Sequence, residues 1–208
     1  MELQDITYEG PTIDDPDTLA LMPADLRNLL EQINGFIQFG GGLHVRGACK
    51  EPAWHSIKEV MSGKLALHEH YPNVLPTDVP FAQDAVGDQY LLRDGVVHWL
   101  YGETGDMESL RTGLIEFFEA AQKAPDQYLG LQLLRQFVDG GGTLQPGELL
   151  HVYPPLCTVE AKSGVSVTAV PSGERLKFLV EFAAQVRGVS AGGQIEMRVE
   201  VSGSGHDE

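Results

Sequence analysis

Residues 81–110 read FAQDAVGDQYLLRDGVVHWLYGETGDMESL, and this stretch decides the fold. Asp94-Gly95 is a two-residue hairpin signal between two apolar runs, because both residue types tolerate the backbone of a tight turn. In such a hairpin Tyr90 faces Trp99. Alternation then places a row of large side chains on one face of a sheet: Tyr90, Leu92, Val97, Trp99 and Tyr101. We expect that face to be the core side; an exposed aromatic binding face is the alternative.

Helical patterns flank the predicted hairpin. After Pro23, apolar residues recur at i, i+3, i+4 and i+7 until Asn34-Gly35 stops the helix. A second helix is predicted from Ser56, which with Glu59 has the spacing of a capping box. A third is predicted to start near Thr112 and to end before Pro125. The order helix, helix, strands, helix predicts an α+β fold.

The remaining segments carry weaker patterns. Residues 1–21 are expected to be a loop, and Gly40-Gly41-Gly42 a flexible loop without phosphate-binding context. We divide the chain into a domain of residues 1–124 and a C-terminal α+β extension of residues 125–208. The extension is expected either to pack on the core sheet or to form its own small domain. Its predicted elements are a helix over 128–138, strands over 149–153 and 165–170, a long helix after 172 with Ala184 among its inward residues, and a strand over 195–201.

Composition narrows the possible functions. The 208 residues include 30 acids against 14 lysines and arginines, for a formal net charge of −16. Phosphate binding needs clustered positive charge, so nucleic acid is not an expected partner. An acidic surface steers a basic partner toward it, although plain solubility explains the same charge. The absence of long apolar runs predicts no membrane association. An N-terminus without signal-peptide features and only two cysteines predict a cytoplasmic protein.

Two motifs have residue types used in catalytic sites. His68-Glu69-His70 would place two imidazoles on one face if it formed a strand, which is the basis of a metal-dependent hydrolase hypothesis. No third ligand has a diagnostic spacing, so exposed polar residues are the favoured interpretation. Residues 188–192 match G-x-S-x-G, but the predicted helix before them and strand after them reverse the context of a nucleophile elbow. His98 is expected to be a hydrogen-bonded residue of the sheet. We therefore predict no enzyme, no cofactor and no metal site.

Three segments together resemble the SUKH superfamily, the Smi/Knr-like domains. MPADLRNLLEQINGF is similar to the family's first helix and Asn-Gly stop, with Met22 in place of the usual leucine. FAQDAVGDQYLL is similar to its central strands, and VVHWLYGETGDMESL followed by LIEFFEAA to its later strand, acidic loop and closing helix. The resemblance covers about residues 20–123. It implies a curved, mainly antiparallel sheet flanked by helices and a noncatalytic role.

The resemblance also implies a kind of partner. Bacterial members are commonly immunity proteins that neutralise a toxin, often a nuclease, and fungal members are regulators that work through protein contacts. We therefore expect an immunity-type protein with a basic toxin as partner; a regulator or scaffold of the same fold is the alternative. The acids expected to contribute to the recognition surface lie in the central segment: Asp84, Asp88, Glu103, Asp106 and Glu108. For Asp84 and Asp88, which flank Gly87, holding a turn is the alternative role.

Overall fold

A computed structural model describes residues 3–189 of the chain. Seven strands form one open sheet in sequence order, and each strand pairs antiparallel with the next. These strands are β1 (Ile6–Glu9), β2 (Phe36–Gln38), β3 (Leu43–Val45), β4 (Val79–Asp84), β5 (Gln89–Arg93), β6 (Val96–Leu100) and β7 (Met107–Ser109). A separate antiparallel hairpin contains β8 (Glu148–Tyr153) and β9 (Ser166–Pro171).

Helices flank the seven-stranded sheet. They are α1 (Pro16–Leu21), α2 (Ala24–Gln32), α3 (Ile57–Met61), α4 (Leu67–His70), α5 (Leu114–Lys123), α6 (Pro125–Tyr128), α7 (Gln132–Asp139) and α8 (Ser172–Val186). The predicted α+β class, with an antiparallel sheet and flanking helices, is confirmed. Within residues 3–189 no helix combines the length and apolarity that crossing a lipid bilayer requires.

The hairpin at Asp94-Gly95 forms as predicted. Arg93 pairs with Val96 and Tyr90 with Trp99, and the turn residues Asp94 and Gly95 have φ values of 51° and 78°. The rings of Tyr90 and Trp99 stack with centroids 6.2 Å apart. Tyr90 is 1% exposed and belongs to the main core. The expectation that this face is the core side is therefore confirmed.

The first face of the sheet is covered by α2 and α5. Leu26 and Leu30 are the buried side chains of α2, as its apolar spacing requires. Phe117 and Phe118 are fully buried on α5, and Phe117 packs edge-on against Phe81 of β4 at 5.6 Å. Each such side chain contributes roughly 1.5–3 kcal/mol by leaving water, so the two helices fix the sheet through a few large residues.

The second face of the sheet is covered by the C-terminal extension together with α3 and α4. Leu91 and Leu100 of the sheet share a buried cluster with Leu176 and Leu179 of α8. The backbone N–H of Leu150 also donates to the carbonyl of Ala85 at 2.7 Å. Two arrangements were expected for the extension, and in the structure it packs on the core sheet.

Several local predictions were wrong. Residues 1–21 contain β1 and α1 rather than a loop, and Asp15 caps α1 through its bond from Thr18 N at 3.2 Å. The single helix predicted over 128–138 is two helices, α6 and α7, separated at Gly130, which has φ of 64°.

Smaller differences concern caps and faces. Ser56 precedes α3, but its side chain makes no cap hydrogen bond. Gly40 and Gly41 belong to a tight 3-10 connection between β2 and β3, two strands that the pattern did not predict. On α8, Ala184 is exposed and Phe182 is buried instead. The strand predicted over 195–201 lies outside the described residues.

Candidate functional site

The structure divides the five predicted recognition acids into two groups. Asp106 and Glu108 are exposed, at the end of the 102–108 loop and on the edge strand β7. Asp84 and Glu103 are buried, and Asp88 is largely buried. The buried group lies where the β4–β5 turn, the 102–108 loop and α8 meet. Only the exposed pair can therefore meet a partner directly.

Asp84 holds the β4–β5 turn. Its Oδ1 accepts the backbone N–H groups of Val86, Gly87 and Asp88, each at 3.0 Å. A short carboxylate that caps three successive N–H groups fixes the turn as the sequence alternative anticipated. Burial raises the pKa of the Asp84 carboxyl well above its ordinary value, and the neighbouring Asp88 charge raises it further.

Asp88 reaches out of that turn. Its Oδ1 accepts the backbone N–H of Gly102 at 2.7 Å, so it anchors the start of the 102–108 loop rather than its own turn. Burial raises the pKa of Asp88 to about 6, against the lowering effect of the Gly102 N–H, and the Glu103 charge adds to the rise. The loop is thus held by a carboxyl whose pKa lies above that of an ordinary aspartate.

Glu103 joins the 102–108 loop to the extension. Its Oε2 accepts the backbone N–H of Cys157 at 2.9 Å, and its Oε1 lies 3.7 Å from Arg175 Nη2 on α8. Arg175 also donates from Nε to the carbonyl of Val86 at 2.9 Å and lies over the ring of Phe178. One buried guanidinium therefore faces the carboxyls of two neighbouring turns and links them to the extension.

The end of β8 and the loop after it present apolar side chains next to this junction. Tyr153, Leu156 and Val159 are 57%, 44% and 64% exposed, although large apolar residues are usually covered. Cys157, between the last two, is the residue bonded by Glu103. We call the exposed set the acidic–apolar surface: Asp106, Glu108, Tyr153, Leu156 and Val159. Exposed apolar groups are typical of protein-binding surfaces. The acids of the set lie on the Tyr101 side of the sheet edge, where Glu108 Oε2 accepts from the Tyr101 hydroxyl at 3.2 Å.

Sequence reasoning found the acidic half of this surface and missed the apolar half. A signal for the apolar half exists in the pair Pro154-Pro155, which marks a loop directly before Leu156. Apolar residues on a proline-marked loop have no strand or helix to turn them inward. No local signal joins Glu103 to Cys157, because 54 residues separate them.

The histidine motif does not have the predicted geometry. His68 and His70 lie on the one-turn helix α4, not on a strand, and residues two apart on a helix point to different sides. No group of three or more histidine, cysteine, aspartate or glutamate side chains in residues 3–189 has the arrangement of a metal site. His98 lies in β6, where its Nδ1 donates to the carbonyl of Val96 at 3.2 Å, as expected for a sheet residue.

The G-x-S-x-G motif extends beyond the described part of the chain. Gly188 follows the C-terminus of α8 with φ of 85° and forms a turn after the helix. Ser190 and the residues after it lie outside the described range.

No protein-family model matches this sequence, and none of the curated proteins matches it.

Proposed function

We propose that this protein is a noncatalytic binding module of the immunity-protein type, which holds a basic protein on its acidic–apolar surface. The observation that carries the proposal is the junction at Glu103, whose Oε2 accepts Cys157 N at 2.9 Å. This bond holds the segment that carries the exposed Leu156 and Val159 against the start of the 102–108 loop, and Asp106 and Glu108 follow at the other end of that loop. Apolar contact supplies affinity at such a surface, and the acids select a basic partner and speed its approach.

The charge of the whole chain supports a basic partner. Sixteen excess negative charges produce a field that attracts cationic surfaces over a Debye length, about 8 Å at physiological salt. Two of the basic residues, Arg46 and Arg175, are buried and add little positive charge to the surface. A basic nuclease toxin is the partner class that the SUKH resemblance implies, and a cytoplasmic location belongs to the same proposal.

Membership of the SUKH superfamily is also proposed. What supports it is the element order over the resembling segment: α2 ends at the Asn34-Gly35 stop, β4 to β7 follow as an antiparallel meander, and α5 closes the unit. A regulator or scaffold of the same fold uses the same surface with a nontoxic partner. The identity of the gene beside this one separates the two versions.

The proposal is tested with the product of the adjacent gene, co-expressed and then titrated as a purified protein. We expect a complex whose Kd rises at least tenfold in the double variant Leu156→Ser, Val159→Ser, about 1.4 kcal/mol. We also expect the Kd to rise when salt increases from 50 to 300 mM, because exposed charges are screened.

A matched control uses two acids on another part of the molecule. Glu116 and Glu119 are exposed on α5, so Glu116→Gln, Glu119→Gln changes the charge by the same amount as Asp106→Asn, Glu108→Gln. Only the latter pair is expected to weaken binding and flatten its salt dependence. Failure of the adjacent gene product to bind removes the immunity version. Equal effects of the two acid pairs would remove the acidic–apolar surface as the binding site.

A further inference from the structure

A cleft of about 330 Å³ lies between the second face of the sheet and the extension, on the β1–β4 side. Its floor is formed by β3 and β4, and its roof by the loop of residues 142–148 and the start of α8. Well-packed interiors leave few voids larger than one water molecule, whose share of liquid volume is about 30 Å³. The cleft reaches the size range of small-molecule sites, which begins near 300 Å³.

The floor of the cleft is polar. It belongs to a row of paired residues across the second face of the sheet whose other members are largely apolar. Pairing between neighbouring strands places one residue from each strand in a single line across the second face: Tyr8, Ile37, His44, Gln83, Gln89, Leu100 and Met107. His44 and Gln83, both in the lining, are 4% and 1% exposed. Buried polar side chains are costly unless bonded, so their presence here needs a reason.

The bonds of the floor fix the position of each proton. His55 Nε2 lies 2.9 Å from the carbonyl of Asn34, which can only accept, so Nε2 donates. His55 Nδ1 then accepts from His44 Nε2 at 2.8 Å, and His44 Nδ1 accepts from Gln83 Nε2 at 3.0 Å. Both rings are neutral in this chain of bonds. Burial lowers the pKa of His55 to about 4 and that of His44 well below its ordinary value, which agrees with neutral rings.

Gln83 is a strong donor in this arrangement. Its Oε1 accepts from Arg46 Nη2 at 2.6 Å, and Arg46 is 1% exposed. Within residues 3–189 no carboxylate pairs with Arg46; it bonds the amide oxygens of Gln83 and Gln89 and the carbonyl of Pro80. A buried cation on Oε1 polarises the amide and strengthens its N–H groups. One of the two N–H groups of Gln83 Nε2 donates to His44 Nδ1. The second N–H group has no acceptor among the described residues.

The walls of the cleft offer acceptors and apolar surface. Glu148 is the one lining residue with an Asp, Glu, Lys or Arg side chain, and its Oε2 accepts from the backbone N–H of Gln145 at 2.9 Å. Hydroxyl groups come from Thr7, Thr143 and Ser172. Ile37, Leu144 and Leu149 supply apolar surface around them.

Two glycines set the height of the roof. A Cβ at Gly41 would lie 2.6 Å from Leu144 Cδ2, and one at Gly147 would lie 3.0 Å from Trp54 Nε1. Both glycines have positive φ, 106° and 89°, which side-chain-bearing residues rarely adopt. The extension therefore rests directly on the β2–β3 turn and on Trp54, and the cleft between these supports stays open.

We propose that this cleft binds a small uncharged molecule rich in hydroxyl groups, of monosaccharide size. A hydroxyl both donates and accepts, so it satisfies the Gln83 N–H and the Glu148 carboxylate together. Ile37 and Leu149 cover the C–H faces of such a ligand. An anionic ligand is disfavoured because the Glu148 carboxylate repels it and the lining contains no lysine or arginine to offset that repulsion. An ammonium ligand is disfavoured because it brings a donor to the Gln83 N–H, which needs an acceptor. The site is independent of the acidic–apolar surface.

The test titrates the full chain with glucose, galactose, mannose and myo-inositol, and in parallel with inorganic phosphate and methylammonium, by calorimetry and ligand-observed NMR. We expect at least one neutral polyol to bind with a Kd below about 10 mM. We expect phosphate and methylammonium not to displace it. The proposal is overturned if none of the sugars and myo-inositol binds. It is also overturned if phosphate or methylammonium binds more tightly than they do.

Variants locate the site. Leu144→Trp fills the cleft from the roof and is expected to abolish binding, and Glu148→Gln to weaken it about tenfold. Glu119→Gln on α5 changes the same charge far from the cleft and is expected to have no effect. Circular dichroism and thermal melting check that each variant folds. Full affinity in a folded Leu144→Trp variant would place the ligand elsewhere and overturn the assignment.

Discussion

At the scale of single residues, the buried carboxyls of this protein connect segments rather than present charge. Asp84 fixes a turn, Asp88 anchors the next loop through Gly102, and Glu103 bonds the extension through Cys157. Three carboxyls lie near one buried guanidinium, that of Arg175, and the desolvated charges repel one another. The raised pKa of Asp88, about 6, makes stability depend on its protonation above acidic pH.

The first prediction concerns Asp88 and pH. Its pKa in the folded protein is about 6, above the ordinary value, so the folded state binds this proton more tightly than the unfolded state. The contribution to stability is complete below the ordinary pKa and is lost as pH rises through 6. Asp88→Asn keeps an oxygen for Gly102 N–H and removes the charge. We expect it to stabilise the protein by up to about 2 kcal/mol at pH 8 and by little at pH 4.

Urea unfolding at the two pH values measures this difference. Asp106→Asn, at an exposed position, is the control and is expected to leave the pH dependence unchanged. A stabilisation by Asp88→Asn that is equal at pH 4 and pH 8 would contradict the assignment.

The second prediction concerns Gly95 in the β5–β6 turn. Its φ is 78°, and an added Cβ would meet no atom within 4 Å, so Gly95→Ala isolates the cost of the backbone conformation. We expect a loss of about 1–2 kcal/mol. Gly173 on α8 has equally open space without a positive φ, so Gly173→Ala is expected to stabilise by about 0.5–1 kcal/mol. Thermal unfolding of the two variants must give opposite signs.

At the scale of elements, α8 is the helix that joins the extension to the sheet. Leu179 is 1% exposed, and its methyl groups lie against Gly87 and Gly102, the two turns that Asp84 and Asp88 hold. Added Cβ atoms at these glycines would lie 2.8 and 2.9 Å from Leu179 Cδ1. The turns and the helix therefore fit together only because both turns lack side chains at the contact.

The third prediction follows from this contact. Leu179→Ala opens a cavity in the second core and is expected to destabilise the protein by about 2–5 kcal/mol. Lys177→Ala, two residues away and exposed, is expected to change stability by less than about 0.5 kcal/mol. Chemical denaturation measures both, and a Leu179→Ala cost below that of Lys177→Ala would show that α8 is not docked here.

At the scale of the whole molecule, the sheet carries a core on each face, and the two cores come from different parts of the chain. Residues of α2 and α5 fill the first, and residues of α8 and β8 complete the second. Leu91 and Leu100 lose their covering when the extension is removed. The second core therefore contains residues from both sides of the boundary drawn between 124 and 125.

The fourth prediction tests this dependence. Residues 1–124 expressed alone are expected to aggregate or to bind hydrophobic dyes, because an uncovered apolar sheet face is an association surface. The full chain under the same conditions is the control. A monomeric, cooperatively folding 1–124 fragment would instead support the domain boundary drawn from the sequence.

Elements with local signals could be predicted from the sequence. The Asp94-Gly95 turn, the alternation of Tyr90 through Trp99 and the apolar stripe of α2 each specify their structure within a few residues. These signals were sufficient for the α+β class, the hairpin register and the core face of the sheet. Strands β2 and β3 escaped prediction because three-residue elements contain too little periodicity.

Tertiary structure alone decided what the polar residues do. Glu103 and Cys157 meet across 54 residues, and the contact between α8 and the β4–β5 turn spans 89 from Arg175 to Val86. Three of the five expected recognition acids point inward in the folded chain, and Asp106 and Glu108 stay exposed. The extension also covers His44 and Gln83, which are buried beneath it. Local patterns determine where strands and helices form, because their forces act between near neighbours. Burial of a charged or polar side chain depends on which distant segment covers it.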